Sequence, residues 1–463
     1  MGLLRLLLAF CVLASHHDLF ELEFLPGDLA VRTFFVISGY YMAFVLERKY
    51  AGRPVRLFYT NRLLRLYPGY ALMAVFSLAA LLLLDVHPFA GQDQFRLVFG
   101  NAASALAVVW ANIAIFGQEI LFLFDADKTG ALWWCAGAPH AAGAYRFMLV
   151  PQGWSLALEL YFYLLAPWLL RLSTSRLGLL AAASFALNLG MIASGQTGAD
   201  VCWRFLPAQL YLFLLGCLAF RLTARGERAW LRGRPLVACA GLLAALILGF
   251  EYLPLPLGLR VAALLGLTAA VMPGLFDALS ANRFDRLAGD LSYPFYICHF
   301  LIVAFVEAMP DPPPDALILL STLGLAGTLL FLERPLHRVR QRRVTAAPVL
   351  LPAPATAATA AMVAAPAMAA AVTAAVADGV KLAISGAVSG AEHALAEAET
   401  VLADTASGIA GAAGDIAETA LAGLAALLPG TAPELVPAGA ATDDAAAIAA
   451  AIPTAADEPP LPA

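Results

Sequence analysis

The residues of this chain with the most chemical capacity lie inside its most apolar runs. His16 and His17 fall in the run 3–24, and Glu159 falls in the run 153–172. A charge at mid-membrane costs about 2.5–3.5 kcal/mol on insertion scales, so ionisable groups placed there mark sites, pathways or deliberate polar pairs. At about 1.5 Å per residue, His16 lies roughly 18 Å above an inner boundary near Leu4. Glu159, counted inward from Gly153, lies about 21 Å up a ~30 Å hydrocarbon layer. An imidazole and a carboxylate at one depth serve acid–base catalysis, a structural polar pair or a proton-coupled transport site, and the spacing leaves all three open. Adjacent histidines point about 100° apart on a helix, so one of the two faces any shared cavity. A basic group follows the second run: Arg48, Lys49, Arg53, Arg56, Arg62 and Arg65. The positive-inside rule accounts for that charge without a ligand. Yet Arg62-Leu-Leu-Arg65 sets two guanidiniums on one face of a helix, and such forks suit phosphate.

These residues need a membrane frame, and composition provides it. The chain has 463 residues, 61% hydrophobic and 13% charged, with mean hydropathy +0.79. A soluble domain is about 45–50% apolar and about 25% charged, so a soluble enzyme is excluded. Eleven runs of spanning length read as candidate helices: 3–24, 28–45, 70–86, 102–124, 153–172, 177–194, 205–222, 236–252, 259–279, 292–309 and 316–332. The basic loops place both ends of the set inside, which requires an even number of crossings. The run 102–124 carries Asn112, Gln118 and Glu119 and reads as a re-entrant or interfacial segment. The expected fold is an all-α polytopic membrane protein of about ten transmembrane helices, spanning residues 1–344, with both ends cytoplasmic. Residues 345–463 are a different polypeptide: 46 alanines in 119 residues, twelve acids, one base and no aromatic side chain. With little to bury, this tail is expected to be mostly disordered. The six cysteines show no paired spacing, and His87, His140, His337 and His393 are scattered, so no metal site is expected.

Six segments in order carry a family resemblance. Arg5 precedes His16 by ten intervening residues. Phe34-Phe35-Val36-Ile37-Ser38-Gly39-Tyr40 follows. Then come Phe58, Arg62, Arg65, Pro68 and Tyr70 in one loop, and Trp154-Ser155-Leu156-Ala157-Leu158-Glu159 with Phe162-Tyr163 and Pro167. Ser292-Tyr293, Tyr296 and His299 form the fifth segment, and Glu333-Arg334-Pro335 the last. Together they resemble the integral-membrane acyltransferase family 3, of the O-acetylase type, from Met1 to about Arg338. Leu160 stands where that family often has a second acid. Arg32 is unusual at its position, with Asp28 or Glu159 as candidate partners. His17 is outside the pattern.

The resemblance implies an acyltransferase moving a small acyl group from cytoplasmic acyl-CoA to a hydroxyl of an envelope polysaccharide, lipopolysaccharide or glycolipid. Acyl-CoA is then a substrate, and no tightly bound cofactor is expected. His16 is the expected general base or acyl carrier, with Arg5 and Glu159 beside it. Arg62 and Arg65, supported by Arg48, Lys49 and Arg56, are the expected donor-phosphate ligands. Trp154, Ser155, Ser38, Tyr293, Tyr296 and His299 are acceptor contacts or structural polar residues. The competing class is a proton-coupled transporter using His16 and Glu159. Transporters often show an internal repeat, and neither the Arg5–His16 segment nor the Trp154–Glu159 segment has a second copy.

Overall fold

The computed structural model describes residues 1–17, 19–135, 143–194, 199–224, 230–311 and 313–346. His140, His393 and nearly all of the alanine-rich tail lie outside the described residues. Among the described residues thirteen α-helices follow in order: α1 (Gly2–His17), α2 (Gly27–Phe44), α3 (Val55–Leu84), α4 (Gln92–Phe99), α5 (Ala102–Ala114), α6 (Gly153–Leu169), α7 (Thr174–Ala193), α8 (Ala199–Arg204), α9 (Leu206–Ala224), α10 (Gly233–Leu248), α11 (Leu257–Leu279), α12 (Arg283–Glu307) and α13 (Asp315–Ala346). Helices dominate because a chain in lipid must satisfy its backbone groups within each segment.

Among the described residues, seven helices are long and apolar enough to cross a membrane: α2 with its π turn to Lys49, α3, α7, α9, α11, α12 and α13. α1 and α10 are apolar helices of 16 residues each, and α6 has 17. The α4–α5 pair is bent by 117° at its break. It covers most of the segment expected to be re-entrant.

Three local expectations are corrected. The first helix stops at His17 rather than near Phe24, because Phe20 and Glu21 adopt φ of 62° and 53°, which a right-handed helix cannot contain. The segment expected as a loop around Arg62 and Arg65 is helical, and α3 carries it into the membrane as one 30-residue helix. The all-α expectation gains a small antiparallel hairpin, β1 (Phe124–Ala126) with β2 (Leu132–Trp134). Asp127 accepts the Thr129 amide at 2.8 Å in its turn, and Gly130 supplies φ 79°.

α2 is the central element. It packs on α9 through two glycines: a side chain at Gly39 would meet the Phe213 backbone, and one at Gly216 would meet Val36 and Tyr40. Small residues at such crossings let membrane helices approach closely. α1 lies along α12, α12 along α13, and α13 along α3. Leu83, Phe185 and Phe331 are exposed on outer helix faces, as a lipid-facing surface requires.

Candidate active site

Seven helices line a cavity of about 520 Å³, α11 through the apolar Phe276 and Leu279. α1 contributes Arg5, α2 Ser38, α3 Asn61, Arg62 and Arg65, α6 Ser155 and Glu159, α12 Tyr293 and Tyr296, and α13 His337 and Arg340. Lys49, in the π turn after α2, also lines it. Six cationic side chains face three acidic ones: Arg5, Lys49, Arg62, Arg65, Arg286 and Arg340 against Glu159, Asp285 and Asp290. A pocket with that balance attracts an anion of several charges.

Glu159 is the acid at the heart of this set. Its Oε1 accepts the Ser38 hydroxyl at 2.6 Å and also the Tyr163 hydroxyl. Arg5 and Arg62 lie within electrostatic reach of the carboxylate. Arg62 also sits over the rings of Phe58 and Tyr163, at 5.5 and 5.8 Å. The pattern has a helical cause: Arg62 and Arg65 are one turn apart on α3, as are Glu159 and Tyr163 on α6.

Further along α6, Ser155 and Tyr296 share a hydroxyl–hydroxyl bond of 2.8 Å. Gln152 Nε2 donates to the Tyr296 carbonyl at 2.8 Å. Tyr293 donates to the Leu66 carbonyl at 2.5 Å. One turn on from Tyr296, His299 is fully buried, with ring centroids 5.8 Å from Tyr296 and 5.6 Å from His16. His16 packs on Phe300 at 4.4 Å. α1 and α12 start together, the Leu3 amide donating to Asp285 at 3.0 Å. Rising side by side, they bring His16 and His299 to one level.

The expected site residues therefore fall into two groups. Arg5, Ser38, Lys49, Arg62, Arg65, Ser155, Glu159, Tyr293 and Tyr296 share the cavity. His16 does not line it, and the structure does not bring His16 to Glu159. The connection runs through Ser155, Tyr296 and His299. Arg48 and Arg56 are exposed and stand outside the cavity. Trp154 lies under the Arg204 guanidinium at 4.8 Å, with Phe122 on the same cation at 3.6 Å. Arg32 pairs with Asp28 at 3.7 Å and lies over Trp203 at 4.7 Å, not beside Glu159.

Sequence reasoning missed Arg340 and His337. The run of arginines after the last span reads as topological charge. The signal was their spacing: His337, Arg340 and Gln341 repeat at three and four residues, the face of a helix.

The fold and this cavity define a multi-pass membrane protein with a cation-rich interior. A family model described as an acyltransferase domain matches residues 1–333, and the chain belongs to acyltransferase family 3. No curated protein and no solved structure matches it. Among the described residues no group of His, Cys, Asp or Glu is placed to hold a metal ion.

Proposed function

We propose that this acyltransferase moves a small acyl group, acetyl in the simplest case, from cytoplasmic acyl-CoA to a hydroxyl of an envelope polysaccharide, lipopolysaccharide or glycolipid. The enzyme sits in the plasma (inner) membrane, crosses it ten times and keeps both ends of the membrane domain in the cytoplasm. Ten crossings count α1, α6 and α10 with the seven longer helices and leave the bent α4–α5 pair outside. The observation that carries the reading is the excess of cations in the inner cavity, which suits the phosphates of a nucleotide-bearing thioester.

The chain's residues divide the work. Arg62 and Arg65, with Lys49 and Arg5, hold the donor's anionic end, and the thioester arm runs past Ser38 and Glu159 toward Tyr296. His16 removes the proton of the acceptor hydroxyl as its oxygen attacks the thioester carbonyl. The C–O bond forms, the C–S bond breaks, and the leaving thiolate takes the proton back from the imidazolium. A covalent acyl-His16 intermediate gives the same products in two steps. Trp154 and Ser155 lie on the acceptor's side of the arm.

The test compares a deletion strain with the same strain restored by wild type or by His16→Ala at matched membrane levels. Acyl esters on extracted envelope glycans and lipids are read by mass spectrometry. An ester restored by wild type and not by His16→Ala is the expected result, and its mass names the acyl group. Identical esters in all three strains overturn the acyl-transfer reading. Full restoration by His16→Ala overturns the role of that histidine alone.

A further inference from the structure

The family match ends at residue 333, but α13 runs on without a break to Ala346. His337, Arg340 and Gln341 of this extension line the inner cavity. Two bonds dock it on the start of α3. Asn61 Nδ2 donates to the Arg340 carbonyl at 3.4 Å, and Arg343 Nη2 donates to Thr60 Oγ1 at 3.0 Å. Asn61 is itself steadied by a 2.9 Å bond to the Tyr50 hydroxyl.

This docking sets a third guanidinium near Arg62 and Arg65. Arg340 lies within electrostatic reach of Arg65 and Arg62, with Glu333 and Asp290 as the acids near it. Like charges gathered this way disfavour one another until an anion joins them. One carboxylate satisfies one guanidinium fork, whereas a group of phosphates satisfies several.

We propose that Arg340 binds a phosphate of the donor's nucleotide end together with Arg62 and Arg65, so that the α13 extension completes the donor site. The inference rests on acyl-CoA being the donor. It makes a segment beyond the matched family domain part of substrate recognition, with the Thr60–Arg343 and Asn61–Arg340 bonds as its latch.

The test uses the full-length protein purified in nanodiscs, with CoA binding measured by titration calorimetry. Acyl transfer is followed from two donors: acetyl-CoA, and S-acetyl-pantetheine, which has the thioester arm and no phosphate. Loss of one charge-assisted bond predicts CoA affinity about ten-fold weaker in Arg340→Ala. KM for acetyl-CoA should rise by a similar factor, with kcat near wild type and transfer from S-acetyl-pantetheine unchanged. Arg340→Lys should recover part of the loss. Arg338→Ala, exposed on the same helix and outside the cavity, should match wild type with both donors. Wild-type CoA affinity in Arg340→Ala overturns the proposal. So does an equal loss with both donors, which would make Arg340 a structural residue. A wild-type protein that binds no CoA overturns the donor reading itself.

Discussion

His299 lies nearly flat against His16, with ring centroids 5.6 Å apart and planes 15° from parallel. Its Nδ1 is 2.7 Å from the Tyr296 carbonyl. A carbonyl oxygen only accepts, so Nδ1 carries the proton and Nε2 keeps its lone pair. That Nε2 is buried and has no hydrogen-bond partner. The fixed imidazole therefore stands directly behind the one assigned to catalysis.

His299→Phe keeps a ring against His16 but removes the bond to Tyr296. The Tyr296 carbonyl keeps its bond from Gln152, so the loss of one of its hydrogen bonds costs about 1 kcal/mol, and the variant should unfold slightly lower in detergent. Acyl transfer should fall about ten-fold or more if the fixed ring holds His16 in its working orientation, a loss of about 1.4 kcal/mol in transition-state stabilisation. Wild-type turnover in this variant would reduce His299 to packing.

Glu159 anchors the cavity by charge, and Ser38 only completes its hydrogen bonding. Removing the carboxylate charge that the nearby Arg5 and Arg62 feel costs about 1–3 kcal/mol. Losing one neutral donor costs about 1 kcal/mol. Glu159→Gln should therefore destabilise the protein more than Ser38→Ala, and should also weaken the hold on Arg5 and Arg62. Thermal unfolding followed by size exclusion orders the two, and equal midpoints would remove the charge-anchor role.

The frame was legible because lipid allows few alternatives: apolar runs of spanning length become helices. The segments around Arg62, Glu159 and Tyr296 were legible as motifs, and all three line one cavity. What failed was azimuth. A count of depth along each helix put His16 and Glu159 at similar levels, but such a count does not say which neighbour a side chain faces. His16 turns to α12 and Glu159 to α2. The same limit hid the difference between Lys49, which lines the cavity, and Arg48, which does not. The basic run from Arg48 to Arg65 made the start of α3 read as a loop, although from Val55 on it is helical and carries Pro68 in its interior. The hairpin 124–134 was too short to show a period.

Gly39 follows Ser38 in sequence but serves α9 rather than the cavity. A Cβ at Gly39 would lie 2.6 Å from the Phe213 carbonyl carbon, and one at Gly216 would lie 2.6 Å from the Tyr40 amide nitrogen. Gly39→Ala and Gly216→Ala should each push α2 from α9 at a cost of about 1–3 kcal/mol. The shift should also pull Ser38 from Glu159 and lower activity. Gly190 and Gly266 have open space where a Cβ would sit. Replacing either with Ala should leave stability unchanged or raise it by about 0.5–1 kcal/mol. Thermal midpoints of the four variants test the contrast, and unchanged midpoints for Gly39→Ala and Gly216→Ala would refute it.

The small apolar core between α3 and α6, built on Val98, Val108, Leu121 and Phe147, should respond to pH through His87. Its Nε2 donates to the Met148 carbonyl at 3.1 Å, and its Nδ1 accepts the Phe89 and Ala90 amides at 3.3 Å each. A second proton would take away the acceptor that both amides use. Burial pushes the His87 pKa down from 6.5 to about 4. The folded value lies below the unfolded one, so His87's contribution is fully present above pH 6.5 and declines as the pH falls toward 4. Hydrogen exchange of residues 85–124 should therefore quicken between pH 7 and pH 4.5, after correction for intrinsic rates. His87→Gln, which cannot take up that proton, should exchange with a much flatter pH dependence. An equal acceleration in both proteins would mean that another group carries the transition.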